Sequence, residues 1–285
     1  MPRVSVIIPT YNRARLVAEA VDSVLKQTWT DFEIIVVDDG SSDKTEGALA
    51  RYGDRIRCFR TGHEGPSKAR NLGAAQSRGR FLAFLDSDDV WEANKLDIQM
   101  GFLDVHRDIK MVCSGSYSLG DSQKQRTSLR GDRWGDLFLM LFKRSFVNTS
   151  SVVVDRACFF EVGAFDETIR TAEDYDLWLR VARGFPMAYL DRPLVAIRKH
   201  PDELSKNKVE LRRNAIRVVE RHFDPGRVPR RVYRKRIADL HVYLGRGYLR
   251  IGDTREARLA FRDAMRLTPF RIRPMRYFVR SILVR

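Results

Sequence analysis

The chain has 285 residues, 44% of them hydrophobic and 31% charged, which suits one large domain or a domain with an appendage and argues against global disorder. The net charge of +15 is uneven: residues 1–205 carry 29 Lys and Arg against 30 Asp and Glu, and residues 206–285 carry 23 against 7. The longest apolar run, residues 137–142, falls far short of the ~20 residues of a membrane-spanning helix, and MPRVSVIIPTYN holds no signal-peptide core, so secretion and membrane insertion are not expected.

In chain order, VSVII at 4–8 is a β-branched run closed by Pro9 and reads as a buried strand. Residues 13–27 place Leu16, Val17, Ala20, Val21, Val24 and Leu25 on one helical stripe. FEIIVVDDG at 32–40 reads as a second buried strand, and Ser42 or Asp43 caps a helix running to Tyr52. Residues 56–60 predict a third strand, 68–76 a helix, and FLAFLD at 81–86 another buried strand. Residues 121–133 are polar without periodicity and read as a mobile loop. Residues 151–155 predict a strand, and 172–183 a helix with Glu173, Asp174 and Asp176 in its first turn, where carboxylates suit the helix dipole. From 207 onward the chain reads as helical. Cys58, Cys113 and Cys158 are odd in number and without CxxC. They are read as small buried residues in a reducing cytoplasm.

This alternation predicts an α/β fold with a mostly parallel, doubly wound sheet, whose ligands bind beyond the strand carboxyl ends. Three such ends carry polar clusters: Thr10-Tyr11-Asn12, Asp38-Asp39-Gly40-Ser41 and Asp86-Ser87-Asp88-Asp89. Asp86 and Asp88, hard oxygen donors on a tight turn, suit Mg²⁺ or Mn²⁺ bound together with substrate phosphates. GHEGPSK at 62–68 lacks the GKS or GKT ending of a P-loop, and GRGYLRIG at 245–252 lacks GxGxxG spacing. A nucleotide would therefore be held by metal and side chains, with Lys68 and Arg70 supplying positive charge. AEDYDLW at 172–178 offers Glu173 and Asp174 as candidate general bases. His200 becomes a metal-ligand candidate if the fold brings it to the Asp86/Asp88 turn.

VSVIIPTYNR, IIVVDDGSSDKT, GPSKARNLGA, RFLAFLDSDDVW, VGAFDETIRTAEDYDLWLR and the trailing residues 200–205 occur in that order. Together they resemble the family 2 glycosyltransferases of the GT-A fold across residues 3–205. The resemblance implies a nucleotide-sugar-binding half over 1–110 and an acceptor half over 111–205. It implies that Pro9 and Tyr11 frame the nucleotide base, that Asp39 hydrogen-bonds it, and that Arg70 lies near the nucleotide and its phosphates. Asp86 and Asp88 match the DxD pair, Asp88 being preferred as direct metal ligand, and His200 matches a position that completes the metal site. Asp174 matches the catalytic base. The implied activity is inverting transfer from a nucleotide-sugar, a UDP-sugar by preference, to a glycan or lipid-linked acceptor in cell-surface polysaccharide or glycolipid synthesis. The inventory is chemically sufficient. A metal ion neutralises the departing diphosphate, so one base is enough, whereas glycoside hydrolases need an acid for an alkoxide leaving group.

Residues 206–285 form a separate basic extension. Within it, 238–271 resembles one 34-residue tetratricopeptide repeat: Leu244, Gly245 and Tyr248, then Ala257, Phe261 and Ala264, then Pro269, with His241 in place of the usual Trp. A single repeat cannot bury its own face, so it must pack on residues 206–236, on the catalytic domain, or on another chain, a protein partner or a second copy. Over 270–285, Arg271, Arg273, Arg276, Arg280 and Arg285 alternate with apolar residues. That pattern predicts attachment to an anionic membrane, at the inner face of the cytoplasmic membrane. A nucleotidyltransferase would carry a Gly- and Lys-rich first turn where this chain has PTYNRAR. A nucleic-acid-binding protein would carry its charge within a binding module, yet the first 205 residues are net −1, so no nucleic acid is expected. A silent scaffold would have no need of intact DxD and ED carboxylates.

Overall fold

The computed structural model describes residues 1–120, 129–198 and 208–283. The chain folds as two compact units, residues 1–138 with 146–200 and residues 139–145 with 201–285. The second unit thus takes a short internal segment besides the C-terminal extension, whereas the change in charge near 205 marks the extension alone.

In the first unit the strands β1 (Val4–Thr10), β2 (Phe32–Asp38), β3 (Arg57–Arg60) and β4 (Phe81–Phe84) lie parallel in the order β3-β2-β1-β4. The helices α1 (Ala14–Leu25), α2 (Thr45–Ala50) and α3 (Pro66–Ala75) connect them. Val4, Val6, Ile8, Ile34 and Val36 face Val17, Ala20, Val21 and Val24 of α1 in one core cluster, while Ile35 and Val37 pack with Ala69 of α3 on the other face. The α3 contact is close: a Cβ on Gly73 would stand 2.5 Å from Ile7 Cγ2.

Beyond β4 the mostly parallel sheet continues as a mixed one. The strand β5 (Val90–Trp91) precedes α4 (Lys95–Val105), β6 (Met111–Ser118), β7 (Arg133–Gly135) and α5 (Phe138–Lys143). Then follow β8 (Val153–Asp155), α6 (Arg156–Glu161), α7 (Glu173–Gly184) and β9 (Met187–Ile197). Strand β8 runs antiparallel to both β4 and β6, β9 runs parallel to β6, and the path closes β8-β6-β9-β5 with β7 on β9. Phe84, Phe159, Phe165 and Trp178 form an aromatic knot with ring centroids 5.4–6.2 Å apart, fixing α6 and α7 under β4.

Several expectations change. The first strand does not stop at Pro9 but pairs through Thr10↔Asp38. The alternation of the ladder turns the Pro9 nitrogen toward β4, whose pairing ends at Ile7↔Phe84, so no ladder bond is lost. Helix α3 starts ahead of residue 68, at Pro66, where the fixed φ of proline suits the first helical position. Asp43 is not the formal cap of α2, which is Lys44; its carboxylate accepts from the amides of Thr45 (3.0 Å) and Ala14 (3.2 Å), serving two helix starts. Cys113 and Cys158 are buried, but Cys58 is exposed because β3 is the sheet edge. Of the polar loop at 121–133, residues 121–128 lie outside the described residues, and Gly131 N–H donates to Asp191 at 2.7 Å.

The second unit is helical among the described residues: besides nearly all of α5 it holds α8 (Lys208–Arg221), α9 (Arg230–Arg250), α10 (Thr254–Leu267) and α11 (Ile272–Leu283). Asp253 caps α10 by accepting from the Glu256 amide at 3.0 Å. Ile237, Leu240, Leu244 and Tyr248 of α9 and Ala257, Ala260, Phe261 and Ala264 of α10 are buried. The expected helix–turn–helix over 238–271 is present, but α9 begins well before it, at Arg230. Among the described residues no helix is long and apolar enough to cross a membrane.

Candidate active site

Strands β1, β2 and β4 point their carboxyl ends to one rim, and the turns that follow them are tied together. Asn12, at φ 50°, accepts at Oδ1 from the Ser42 amide at 2.8 Å, and its own amide donates to Ser41 Oγ at 2.8 Å. Pro9 is buried in β1. Tyr11 is exposed, and its ring lies 4.1 Å from that of His63. Asp39 is buried. Its Oδ1 accepts from Thr61 Oγ1 (2.6 Å) and the Glu64 amide (2.7 Å), and its Oδ2 from the Gly65 amide (2.8 Å). A carboxylate offers about four lone-pair sites, so Oδ2 keeps capacity for one more donor, with His63 Nδ1 3.9 Å away.

The Asp86–Asp89 turn is held from several elements. The Asp86 amide donates to Ser150 Oγ (3.1 Å), whose hydroxyl donates to Asp89 Oδ2 (2.6 Å). Arg198, at the end of β9, donates its amide to Asp89 Oδ1 (3.1 Å) and its Nε to the Asp88 carbonyl (3.1 Å). Arg13 pairs with Asp88 at 3.0 Å. Burial, together with the neighbouring charges of Asp86 and Asp88, pushes the Asp89 carboxyl well above the usual carboxylate range.

Arg70 of α3 joins this turn to α7. Its Nη2 donates to Asp86 Oδ1 at 2.6 Å and its Nη1 to Glu173 Oε1 at 3.1 Å, with the guanidinium 5.3 Å over the Phe165 ring. Burial opposes its charge, but Asp86 and Glu173 outweigh that and keep it protonated. Its guanidinium is buried between these two carboxylates.

Asp174 follows Glu173 on the first turn of α7. Its Oδ1 accepts from the Tyr175 amide at 2.7 Å, and Thr149 Oγ1 lies 3.5 Å from its Oδ2. Loss of solvation first, and the Glu173 charge second, push this carboxyl up to about 7, against the pull of the Tyr175 amide and Arg70. Part of its surface stays open, which is where a substrate proton can be met. Ala172, just before α7, sits at φ 66°. A non-glycine residue there costs roughly 1–3 kcal/mol and persists only where its surroundings impose it. The neighbouring segment is clamped on both sides. Asn71 exchanges two hydrogen bonds with the Phe165 backbone (2.9 and 3.0 Å), and Arg180 donates to the Ala164 carbonyl (2.7 Å) and to Asp176 (2.9 Å).

Asp86, Asp88, Arg70 and Asp174 are thus linked in one site, while Pro9, Tyr11 and Asp39 line the same rim. His200 lies outside the described residues. Two hard carboxylates on one turn fit a Mg²⁺ or Mn²⁺ that keeps its other positions for phosphate oxygens and water. Among the described residues no group of three His, Cys, Asp or Glu is placed to hold a metal. Sequence reasoning missed Arg13, Ser150 and Arg198. Arg13 could have been found as the basic residue directly after PTYN. NTSS at 148–151 carries no local signal of its role.

The family model "Glycosyl transferase family 2" matches residues 5–168. An uncharacterized glycosyltransferase of Rickettsia felis is 34% identical over 72% of this chain and 35% of its own length, so the chain spans about a third of that relative. The Escherichia coli protein WfgD, named as a UDP-Glc:alpha-D-GlcNAc-diphosphoundecaprenol beta-1,3-glucosyltransferase, is 31% identical over 74% of this chain and 83% of its own. The fold is shared with S. aureus TarS 1–349 solved with UDP-GlcNAc, at a TM-score of 0.72 and 18% identity over 98% of this chain and 89% of that one. With more than half of its residues under the family model, the chain is a member of glycosyl transferase family 2.

Proposed function

We propose that this protein transfers a sugar from a nucleotide diphosphate sugar, a UDP-sugar by preference, to a hydroxyl of a glycan or lipid-linked acceptor, with inversion at the anomeric carbon. The observation that carries this reading is Arg70, which bonds Asp86 on one side and Glu173, next to Asp174, on the other. It holds a metal-compatible turn and a carboxylate poised near neutral pH in a single site.

In this reading Tyr11 and Pro9 frame the base, and Asp39 Oδ2 accepts from it. Asp86 and Asp88 would hold the divalent cation. Bound there, such an ion would neutralise charge growing on the departing diphosphate. Asp174 takes the proton from the acceptor hydroxyl as its oxygen bonds to the anomeric carbon and the bond to phosphate breaks, its electron pair leaving with the diphosphate. Attack opposite the leaving group inverts the centre. The name of WfgD supports a UDP-sugar donor and a lipid-diphosphate acceptor.

Calorimetry of UDP-sugars against the full chain, with and without Mn²⁺, tests the donor side. Affinity should require the metal, and Asp88→Asn should remove that requirement along with most of the binding. Nucleotide-sugar affinity indifferent to both would take the turn out of the donor site.

A further inference from the structure

Half of α11 is packed and half is bare. Tyr277 stacks on Phe261 of α10 at 5.7 Å, Arg246 of α9 lies 5.3 Å over the Tyr277 ring, and Arg258 donates to the Ser281 carbonyl at 3.0 Å. Pro274 and Ser281 are buried on that same side. At ~100° per residue the opposite side gathers Ile272, Met275, Val279 and Ile282, which are 67%, 53%, 49% and 52% exposed, with Phe270 ahead of the helix 99% exposed. Arg273 and Arg276 are exposed along one border of this strip, Arg273 leaning on the Tyr243 ring at 5.1 Å. No acidic residue occurs after Asp263.

We propose that this face docks the protein on an anionic phospholipid surface, the apolar strip entering the headgroup–acyl boundary while Arg273 and Arg276 meet lipid phosphates. Charge decides between occupants. Arginine at the rim of an apolar strip is also common at protein interfaces, but a protein partner would have to set acidic groups around a matching apolar patch, whereas an anionic bilayer presents both without shape matching. A second copy meeting the same face in an antiparallel two-fold contact would set arginine beside arginine. An anionic bilayer takes both features together: apolar side chains on one flank and exposed cations on the next. The structure narrows the sequence expectation, since Tyr277 and Phe278 turn away from this face and, among the described residues of 270–283, the five exposed apolar side chains are those available to insert.

The test uses full-length protein without nucleotide, so it stands or falls apart from sugar transfer. Co-sedimentation is measured with phosphatidylcholine vesicles, with and without phosphatidylglycerol, at low and high salt. The parent should bind only the anionic vesicles, and less as salt rises. Arg273→Gln with Arg276→Gln should weaken that binding about thirtyfold at low salt. Replacing Ile272, Met275, Val279 and Ile282 by Ser together should abolish it while circular dichroism and melting match the parent. Val279→Trp keeps the face apolar, and its indole fluorescence should be quenched by brominated acyl chains, a readout that does not depend on the fourfold variant folding. Equal vesicle binding by the fourfold variant and the parent, indifference to phosphatidylglycerol, or an indole of the Val279→Trp variant that stays unquenched would each overturn the proposal. So would self-association by light scattering that the fourfold variant alone abolishes, which would make the face a protein interface.

Discussion

The two units carry charge in opposite ways. In the first, Asp86, Glu173 and Asp174 surround the buried Arg70, and burial first, with neighbouring carboxylates second, raises the carboxyls of Asp89 and Asp174. In the second, cations outnumber acids 23 to 7 from residue 206 onward and lie mostly on helix surfaces. Inside a protein, each charge interacts strongly and its partner cannot be removed without large cost; at a surface, solvent and salt weaken the same interactions. The first unit should therefore answer to single substitutions and to pH, and the second to ionic strength.

The largest effect expected is that of Asp174→Asn. A general base contributes about 10²–10⁴-fold, so turnover at saturating donor should fall by that factor while UDP affinity holds. In the parent, transfer needs the ionised carboxylate, and kcat should climb as pH rises through about 7. Stability should move the other way. A carboxyl raised above its ordinary ~3.9 favours folding most when protonated. That contribution is whole below pH ~4 and is lost as pH rises through the folded-state value. The Asn variant lacks the buried anion, so it should melt above the parent in alkaline buffer and alongside it near pH 4. Similar melting temperatures across the whole range would mean that Asp174 is well solvated.

Next in size is Arg70→Met. It keeps the stem but strands Asp86 and Glu173. Removing one partner of a buried charge pair costs about 3–5 kcal/mol, measurable by urea unfolding, and the loss should shrink in acid as the carboxyls protonate. Ser150→Ala removes the hydroxyl that Asp86 donates to and Asp89 accepts from. Hydrogen bonds to charged groups contribute about 1.5–3 kcal/mol. A loss in that range with a parallel fall in Mn²⁺-dependent UDP affinity would establish Ser150 as a support of the Asp86–Asp89 turn. An unchanged metal dependence would restrict it to packing.

The two regions also differ in how readable they were. Strands β1, β2 and β4 announce themselves because each is a β-branched or aromatic run followed at once by a polar turn, so fold and rim residues sit in one local pattern. The partners of those rim residues do not. Arg70 and Glu173 are 103 positions apart, and nothing local in ARN or AED says that they meet. The same holds for Ser150, which lies in a short 3₁₀ turn rather than a periodic element, and for the reversal at β8, whose three residues fit either strand direction. The extension was legible as helices from its apolar spacing, yet alternation along 270–285 could not say which apolar side chains α10 would cover.

The smallest effect separates the units by packing rather than charge. Gly101 in α4 is exposed, and a Cβ there would meet nothing within 4 Å, whereas a Cβ on Gly245 in α9 would stand 2.5 Å from the Phe261 ring. Both glycines are helical, so Ala favours each by about 1 kcal/mol through backbone entropy. At Gly101 nothing opposes that gain, and Gly101→Ala should raise stability by about that amount. At Gly245 the gain meets overpacking of about 1–3 kcal/mol, because Phe261 is fully buried and also stacked on Tyr277, leaving the ring nowhere to turn. Gly245→Ala should therefore be neutral to destabilising, with the loss confined to the helices of the second unit and UDP affinity unchanged. Phe261→Leu, which shortens the opposing side chain, should relieve part of the clash, and the double variant should then be more stable than the two single losses predict by addition. If Gly245→Ala stabilises as much as Gly101→Ala, the α9–α10 contact is looser than its geometry requires, and the close approach that defines this helical pair is lost as a feature of the second unit.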